Sequence, residues 1–451
     1  MTTKKPSELT RILGGGLVLL PSPTGSYSSR MCRPHQYTLG ENTFCVDEGL
    51  VADALIPLKL RRMGDIRQLQ LLSTVSVDGR AKLVSGPHIF PHHRLSHSLR
   101  AGVLHGIIGE ACGLNQGELA IGILADCMHD NFICAGGDSW KDINHQGTLF
   151  DEDNNFAGKI WRYCGDGWRW LCNKYGFDPK STAQTMQEII SGHGLHGEIH
   201  EIADTASYML GDIEEIKRAC RRHGYTQDFT EILNVAKHPW DIWNSLVVKD
   251  GHIVITDLIA LNNFLNLRVL LWANLYNNPA RKVLEMLMMK IVYPYMVDRK
   301  LIQINDLPTK DDTWLFSTIE RQMGWEKYRT KDLNLLGSFP KLKAFATWDQ
   351  ALAFEEEKYN SSAFTLVFSV KDFQKTNHKT DKYWVFGSDG RAGTFKAVCS
   401  KHAAVVEEIS QNSMSPALPV QVAYAQYPLI SGNLRKAWRE ARAKWKKRID
   451  K

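Results

Sequence analysis

The stretch Ile121-Gly122-Ile123-Leu124-Ala125-Asp126-Cys127-Met128-His129-Asp130 decides how this chain is read. Its apolar residues suit a helix and carry an adjacent imidazole and carboxylate to the helix end. A neighbouring His and Asp can grip one divalent cation, but two ligands are too few for a site. Further ligands have to arrive from other helices.

The sequence offers them on both sides. Arg94-Leu95-Ser96-His97-Ser98-Leu99-Arg100 opens a segment with apolar residues at Leu99, Val103, Ile107 and Ile108, a helical period with His97 in its first turn. Downstream, between Gly197 and His223, Asp204, Tyr208 and Asp212 stand four residues apart. A helix stacks such residues on one face at ~6 Å per step, so Asp204 reaches a metal while Tyr208 and Asp212 extend a ligand-reading face away from it. Ten of the 16 histidines lie from His88 to His200, so the enrichment belongs to this region.

The order His97, His129-Asp130, Asp204 resembles the metal-binding signature of the HD-domain phosphohydrolase superfamily. Arg94-Leu95-Ser96-His97-Ser98-Leu99 is similar to the R-F-x-H-S-L of its deoxynucleoside triphosphate triphosphohydrolase branch, and Ile66-Arg67-Gln68-Leu69 to the I-K-Q-L that precedes it. Asp204, Tyr208 and Asp212 reproduce the branch's D-x-x-x-Y-x-x-x-D, and Arg268 and Tyr276 match an arginine and a tyrosine of a later helix. The resemblance runs from about Tyr37 to Met288 and implies a divalent metal, whether Mg, Mn, Fe, Co or Zn, held by His97, His129, Asp130 and Asp204. It implies phosphate contacts from Arg94 and Arg268, sugar contacts from Gln68, Tyr208 and Asp212, and a further substrate contact from Tyr276.

The departures bear on the chemistry. The branch continues H-D-x-G-H-x-P-F-x-H, whereas this chain reads His129-Asp130-Asn131-Phe132-Ile133-Cys134-Ala135-Gly136-Gly137-Asp138. Ile133 and Asp138 stand where the branch carries histidines, and Thr205 stands where a lysine often follows the last aspartate. A further H-E pair has no clear counterpart, with His145 or Asp151-Glu152-Asp153 nearest. Asp138, after the Gly136-Gly137 turn, is the candidate for orienting water or shuttling a proton. Metal and sugar positions are kept while proton-transfer positions differ. Phosphate-ester hydrolysis is therefore better supported than triphosphate release.

Each site residue also has an ordinary reading. Tyr208 and Tyr276 are core residues that can also touch ligand, and Arg268, in an apolar helix, needs either a phosphate or an internal salt bridge. His193, His196 and His200 have the spacing of a second metal site, against which the surrounding Gly192, Gly194 and Gly197 indicate a helix boundary.

Composition sets the frame. With 451 residues, 43% hydrophobic and 23% charged, the chain is an ordinary globular protein able to hold one large core and a satellite lobe. Its nine cysteines form no C-x-x-C pair and fit buried free thiols in a reducing compartment, which points to the cytoplasm. The apolar run Ile12 to Leu20 is short and broken by glycine and reads as a loop or ordering arm, and no stretch approaches the roughly 18 apolar residues of a membrane span. The net charge of +6 hides a tail of +7 from Leu434 to Lys451, where nine Lys/Arg meet two acidic residues. Trp438 and Trp445, seven apart, make that tail an amphipathic helix that can dock on its own protein, on nucleic acid or on an anionic surface.

The expected architecture is mainly α: an N-terminal arm (1–48), a helical HD-type domain (49–300) and a smaller C-terminal α+β lobe (301–451) ending in the basic helix. Helices are expected at Leu58–Leu72, His97–Cys112, Glu118–Met128, Thr182–Ile190, Gly197–Arg222 and Leu258–Tyr293, and strands near Gln36–Val46, Phe364–Val370, Tyr383–Gly387 and Val420–Tyr424. The expected activity is metal-dependent hydrolysis of a nucleotide, most readily a deoxynucleoside triphosphate. The alternatives are a phosphatase or phosphodiesterase for another phosphorylated metabolite, and a nucleotide-sensing or nucleic-acid-binding regulator. Relatives in the branch are homo-oligomers, so the resemblance implies one here.

Overall fold

The computed structural model describes residues 18–19, 35–39, 42–46, 50–66, 93–140, 154–223, 226–236, 239, 242, 245–272, 276, 285–324, 341–361, 363–369, 379–414, 420–426 and 432–446. The fold is mainly α, with a few strands in small sheets. In the arm, β1 (Val18–Leu19), β2 (His35–Leu39) and β3 (Asn42–Val46) form a three-stranded sheet, followed by the short helix α1 (Leu50–Ala54).

Two helices set the geometry of everything that follows. Helix α2 (Arg94–Ala111) packs along α3 (Gln116–Met128), which opens with a reciprocal capping box: Glu118 N donates to Asn115 Oδ1 and Asn115 N to Glu118 Oε2, each at 3.0 Å. Glycines let the two backbones approach. A Cβ on Gly102 would overlap Cys127 Sγ of α3, and one on Gly122 would overlap the His105 ring of α2. The close crossing places the start of α2, with His97, beside the end of α3, with His129.

Around this pair, α4 (Phe156–Tyr175) and α5 (Pro179–Ile190) bury Ile160, Trp168 and Met186 against α3, and α5 starts with Asp178 as cap and Pro179 in its first turn. The long helix α6 (Gly194–His223) lies across α2 and buries Ile199, Ala203, Ala206, Met209 and Ile213. After α7 (Thr226–Val235) come β4 (Leu246–Lys249), β5 (His252–Ile255) and α8 (Leu258–Leu271), the last capped by Asp257. The C-terminal part contains α9 (Tyr293–Asp298), α10 (Asp312–Met323), β6 (Lys341–Phe345), α11 (Trp348–Asn360) and β7 (Ala363–Ser369). It continues through β8 (Trp384–Phe386), β9 (Ala392–Thr394), α12 (Phe395–Val398), α13 (Ser400–Met414), β10 (Val420–Gln426) and α14 (Gly432–Lys446).

Strands β6, β10 and β7 form one antiparallel sheet, while β8 pairs in parallel with β5, Val254 opposite Trp384 and Ile255 opposite Val385. Residues Tyr383, Val385, Phe395, Ala403 and Val406 accordingly share one core with α6 and α8. A separate core joins Met286–Met296, β7 and α14.

Two of the expected helices fall partly outside the described residues. In place of a helix through Leu58–Leu72 there is a 3-10 turn at Leu60–Asp65 after Lys59, whose φ of 59° interrupts any regular helix; 67–72 lie outside the described residues. Of the expected Leu258–Tyr293 helix, α8 covers Leu258–Leu271 and a π-type turn at Met288–Val292 leads into α9, while 273–275 and 277–284 lie outside the described residues. The strands expected at Phe364, Tyr383 and Val420 are present as β7, β8 and β10. The tail helix docks on its own protein: Trp438 and Trp445 are buried, Trp438 Nε1 donates to the Thr365 carbonyl at 2.8 Å, and Arg442 Nε meets Glu355 at 2.6 Å. Cys127, Cys134, Cys164, Cys172 and Cys220 are buried, and Cys112 and Cys399 are half-buried. Among the described residues no helix is long and apolar enough to cross a membrane.

Candidate metal centre

Nε2 of His97, on the first turn of α2, stands 3.0 Å from Nε2 of His129, just past the end of α3. Oδ1 of Asp204, on α6, lies 3.2 Å from the first and 3.6 Å from the second. Among the described residues these three side chains form the one cluster whose ligand atoms could hold a metal ion.

Hydrogen bonds on the far side of each ring fix the tautomers. Ser207 Oγ donates to the Asp204 carbonyl at 2.7 Å and so accepts from His97 Nδ1 at 2.6 Å. His129 Nδ1 donates to the Asp126 carbonyl at 2.7 Å. Both protons therefore sit on Nδ1, and two Nε2 lone pairs face each other beside a carboxylate. Lone pairs in contact repel unless a cation lies between them. The donor set of two imidazoles and a carboxylate fits a divalent ion with open positions left for water or substrate.

Asp130 is beside this cluster with Oδ2 3.6 Å from His97 Nε2 and 3.5 Å from His129 Nε2. Arg94, on the same turn of α2 as His97, donates from Nη1 to both of its oxygens at 3.0 and 2.9 Å. Arg94 thus meets a carboxylate of the metal group in this structure. Burial acts against every charge here, yet Arg94 and His129 hold the Asp130 carboxyl below its usual range, and His97 together with the Lys379 charge holds Asp204 well below it. Burial lowers His97, whereas at His129 the Asp130 and Asp204 charges outweigh burial and raise it.

The predicted sugar-and-phosphate residues gather on the next turns of α6. Tyr208 lies 6.5 Å from His97 and 6.3 Å from Tyr276, ring centre to ring centre. Tyr276 Oη donates to Asp212 Oδ2, and Arg268 Nε of α8 donates to Tyr208 Oη at 2.9 Å. Arg268 is buried, and no carboxylate among the described residues pairs with it. Gln68, His145 and Asp151–Asp153 lie outside the described residues, and Asp138 is on a 3-10 turn (Gly137–Trp140) with its side chain outside them. Ile133, at a position where the branch carries histidine, is fully buried, and its carbonyl accepts from Arg62 Nη2 at 2.8 Å. Arg62 also holds the Asn131 carbonyl at 2.6 Å, so the segment after the HD pair is pinned inward.

Two functional-looking arrangements were not legible in the sequence. Asp126 is fully buried within α3 and binds two histidines, His105 Nδ1 at 2.6 Å and His200 Nδ1. His105 Nε2 in turn meets His196 Nδ1 at 3.0 Å. His196 and His200 are thus bound to Asp126 or its partner and do not join His193 in a second metal site. His200 stands edge-to-face 5.5 Å from the His129 ring, and Asp126 overcomes burial to raise its pKa to about 9. Burial and the neighbouring His105 lower His196 to about 4. The second is Lys379, whose Nζ donates to Thr205 Oγ1 at 2.8 Å. Only Thr205 hinted at it, as the place where a lysine was missing.

No family model matches the chain, and no curated protein matches it. Among solved structures it is similar to a phosphohydrolase from Bacteroides thetaiotaomicron, with a TM-score of 0.54 and 15% identity over 87% of this chain and 100% of that one. At that identity the likeness establishes a shared fold.

Proposed function

We propose that the chain is a metal-dependent phosphohydrolase of the HD superfamily acting on nucleotides, foremost deoxynucleoside triphosphates. The observation that carries this is the convergence of His97 Nε2, His129 Nε2 and Asp204 Oδ1 from three separate elements. Asp130, anchored by Arg94, completes the group. A divalent ion bound there supplies a water of lowered pKa and polarises a phosphoryl oxygen.

The remaining work falls to this chain's own side chains. Arg268 keeps a buried guanidinium oriented by Tyr208, and a buried guanidinium with no carboxylate partner among the described residues calls for an anion such as phosphate. Tyr208, Tyr276 and Asp212 form a preset polar and aromatic wall for a sugar. With Nδ1 taken by Asp126, His200 has Nε2 left to exchange a proton at the departing oxygen. This histidine takes the part that Ile133 cannot.

The buried Ile133 also supports a second reading, hydrolysis of another phosphate ester with inorganic phosphate or a monoester as product. The test is turnover of a nucleotide panel with Mn2+, Mg2+, Fe2+ or Co2+, with products resolved by ion chromatography. Triphosphate release supports the first reading and phosphate or monoester the second. Absence of turnover, or full activity in Asp130→Ala, rejects both.

A further inference from the structure

We propose that Lys379 is a positioning residue of the metal centre, an ammonium delivered by the C-terminal lobe that keeps Asp204 turned toward the two imidazoles. The inference rests on the metal reading above and extends it to a part of the chain 174 residues away from Thr205.

The two oxygens of Asp204 face different partners. Oδ1 is the atom near His97 and His129, while Oδ2 lies 3.6 Å from Lys379 Nζ. The same Nζ is 3.0 Å from Glu201 Oε2 and 2.8 Å from Thr205 Oγ1, so it bridges Glu201, Asp204 and Thr205, which lie about one turn apart on α6. Lys382 adds a second cation at 3.2 Å from Glu201 Oε1. Glu201 and Asp204 are three residues apart on one helix, and without a cation their carboxylates would repel each other and turn apart.

The ammonium is held in place by its own turn. Lys379 has a left-handed backbone, φ 52°, which a lysine adopts only where its surroundings require it. Lys382 N donates to the Lys379 carbonyl and Lys396 N to the Thr380 carbonyl, each at 3.0 Å, and Thr380 Oγ1 meets Glu407 Oε1 at 2.6 Å. Tyr383, which follows, is buried and reaches Thr205 Oγ1 with its hydroxyl at 3.4 Å. Strand β8 then locks the segment to β5. A cation near a metal repels it, but here two carboxylates already offset that charge. What the ammonium adds is direction.

Outer partners that orient metal ligands are worth about 10- to 100-fold in affinity or activity. Calorimetric titration of Mn2+ into the full chain is therefore expected to show a Kd about tenfold or more weaker for Lys379→Met than for the parent, with Lys379→Arg recovering most of the loss. Thr205→Val, which removes the seat of the ammonium without burying a charge, should weaken binding in the same direction by less, and it decides the matter if circular dichroism shows Lys379→Met unfolded. An unchanged or tighter Kd in the folded variants overturns the role of Lys379 while the metal centre stands. Failure of the parent protein to bind Mn2+ overturns both.

Discussion

Nε2 of His97 and Nε2 of His129 face each other at 3.0 Å, each ring having committed its Nδ1 proton to an oxygen acceptor. While both rings are neutral the contact is unfavourable without a cation, so metal binding should stabilise the fold. Saturating Mn2+ at about 100 times Kd is worth about 2.7 kcal/mol and should raise Tm by a few degrees. In differential scanning fluorimetry, His129→Ala and Asp204→Asn should lose the whole shift.

Asp126 holds two buried imidazoles, and removing one member of a buried charged group costs about 3–5 kcal/mol. Asp126→Asn is expected to unfold at markedly lower urea concentration than the parent. A midpoint within error of the parent's would show that the pair carries little stability.

The same pair gives stability a pH signature. His200 is raised to about 9 from an ordinary 6.5, so its contribution is fully present below pH 6.5 and is lost as pH rises through 9. Tm should fall over that window, and His200→Gln should flatten the fall. An equally steep profile in the variant would assign the slope to another group.

Gly122 lies against the His105 ring, where any Cβ would overlap. Gly122→Ala must push α2 from α3 or displace His105 from Asp126. The expected cost is about 1–3 kcal/mol, with Mn2+ binding weakened because the crossing that brings His97 to His129 opens. Calorimetry checks both effects together.

Arg268→Lys keeps the charge but loses the planar fork, and Tyr208→Phe keeps the ring but frees the guanidinium. With the nucleotide substrate, Arg268→Ala should lower kcat/KM by about tenfold or more, and Tyr208→Phe by less. Arg268→Lys restoring full activity would mean that Arg268 acts only as a point charge.

The candidate metal triad was readable because its chemistry demands a set: His97 and Asp204 sit on helices, and His129 just past the end of one, whose apolar residues show in the sequence. Asp126 was hidden by the same logic, since one carboxylate in an apolar run declares no partner. His200 was noticed for its spacing to His193 and His196, but spacing along one helix could not reveal that Asp126 approaches from another. The bridging of Arg94 to Asp130 depends on side-chain geometry that a phosphate motif does not encode. Lys379 lay beyond reach because its partners are on α6 and the segment around it reads only as polar turn. Strand β8 was expected as a strand, but its parallel pairing with β5 joins segments far apart in the chain.

That pairing constrains how the protein can be made. The edge of β5 that β8 covers stays open until residues beyond 386 have left the ribosome, and closing so long a loop costs entropy before any contact repays it. A nascent or prematurely terminated chain therefore exposes a bare β-edge, the feature by which strands of different molecules join and precipitate.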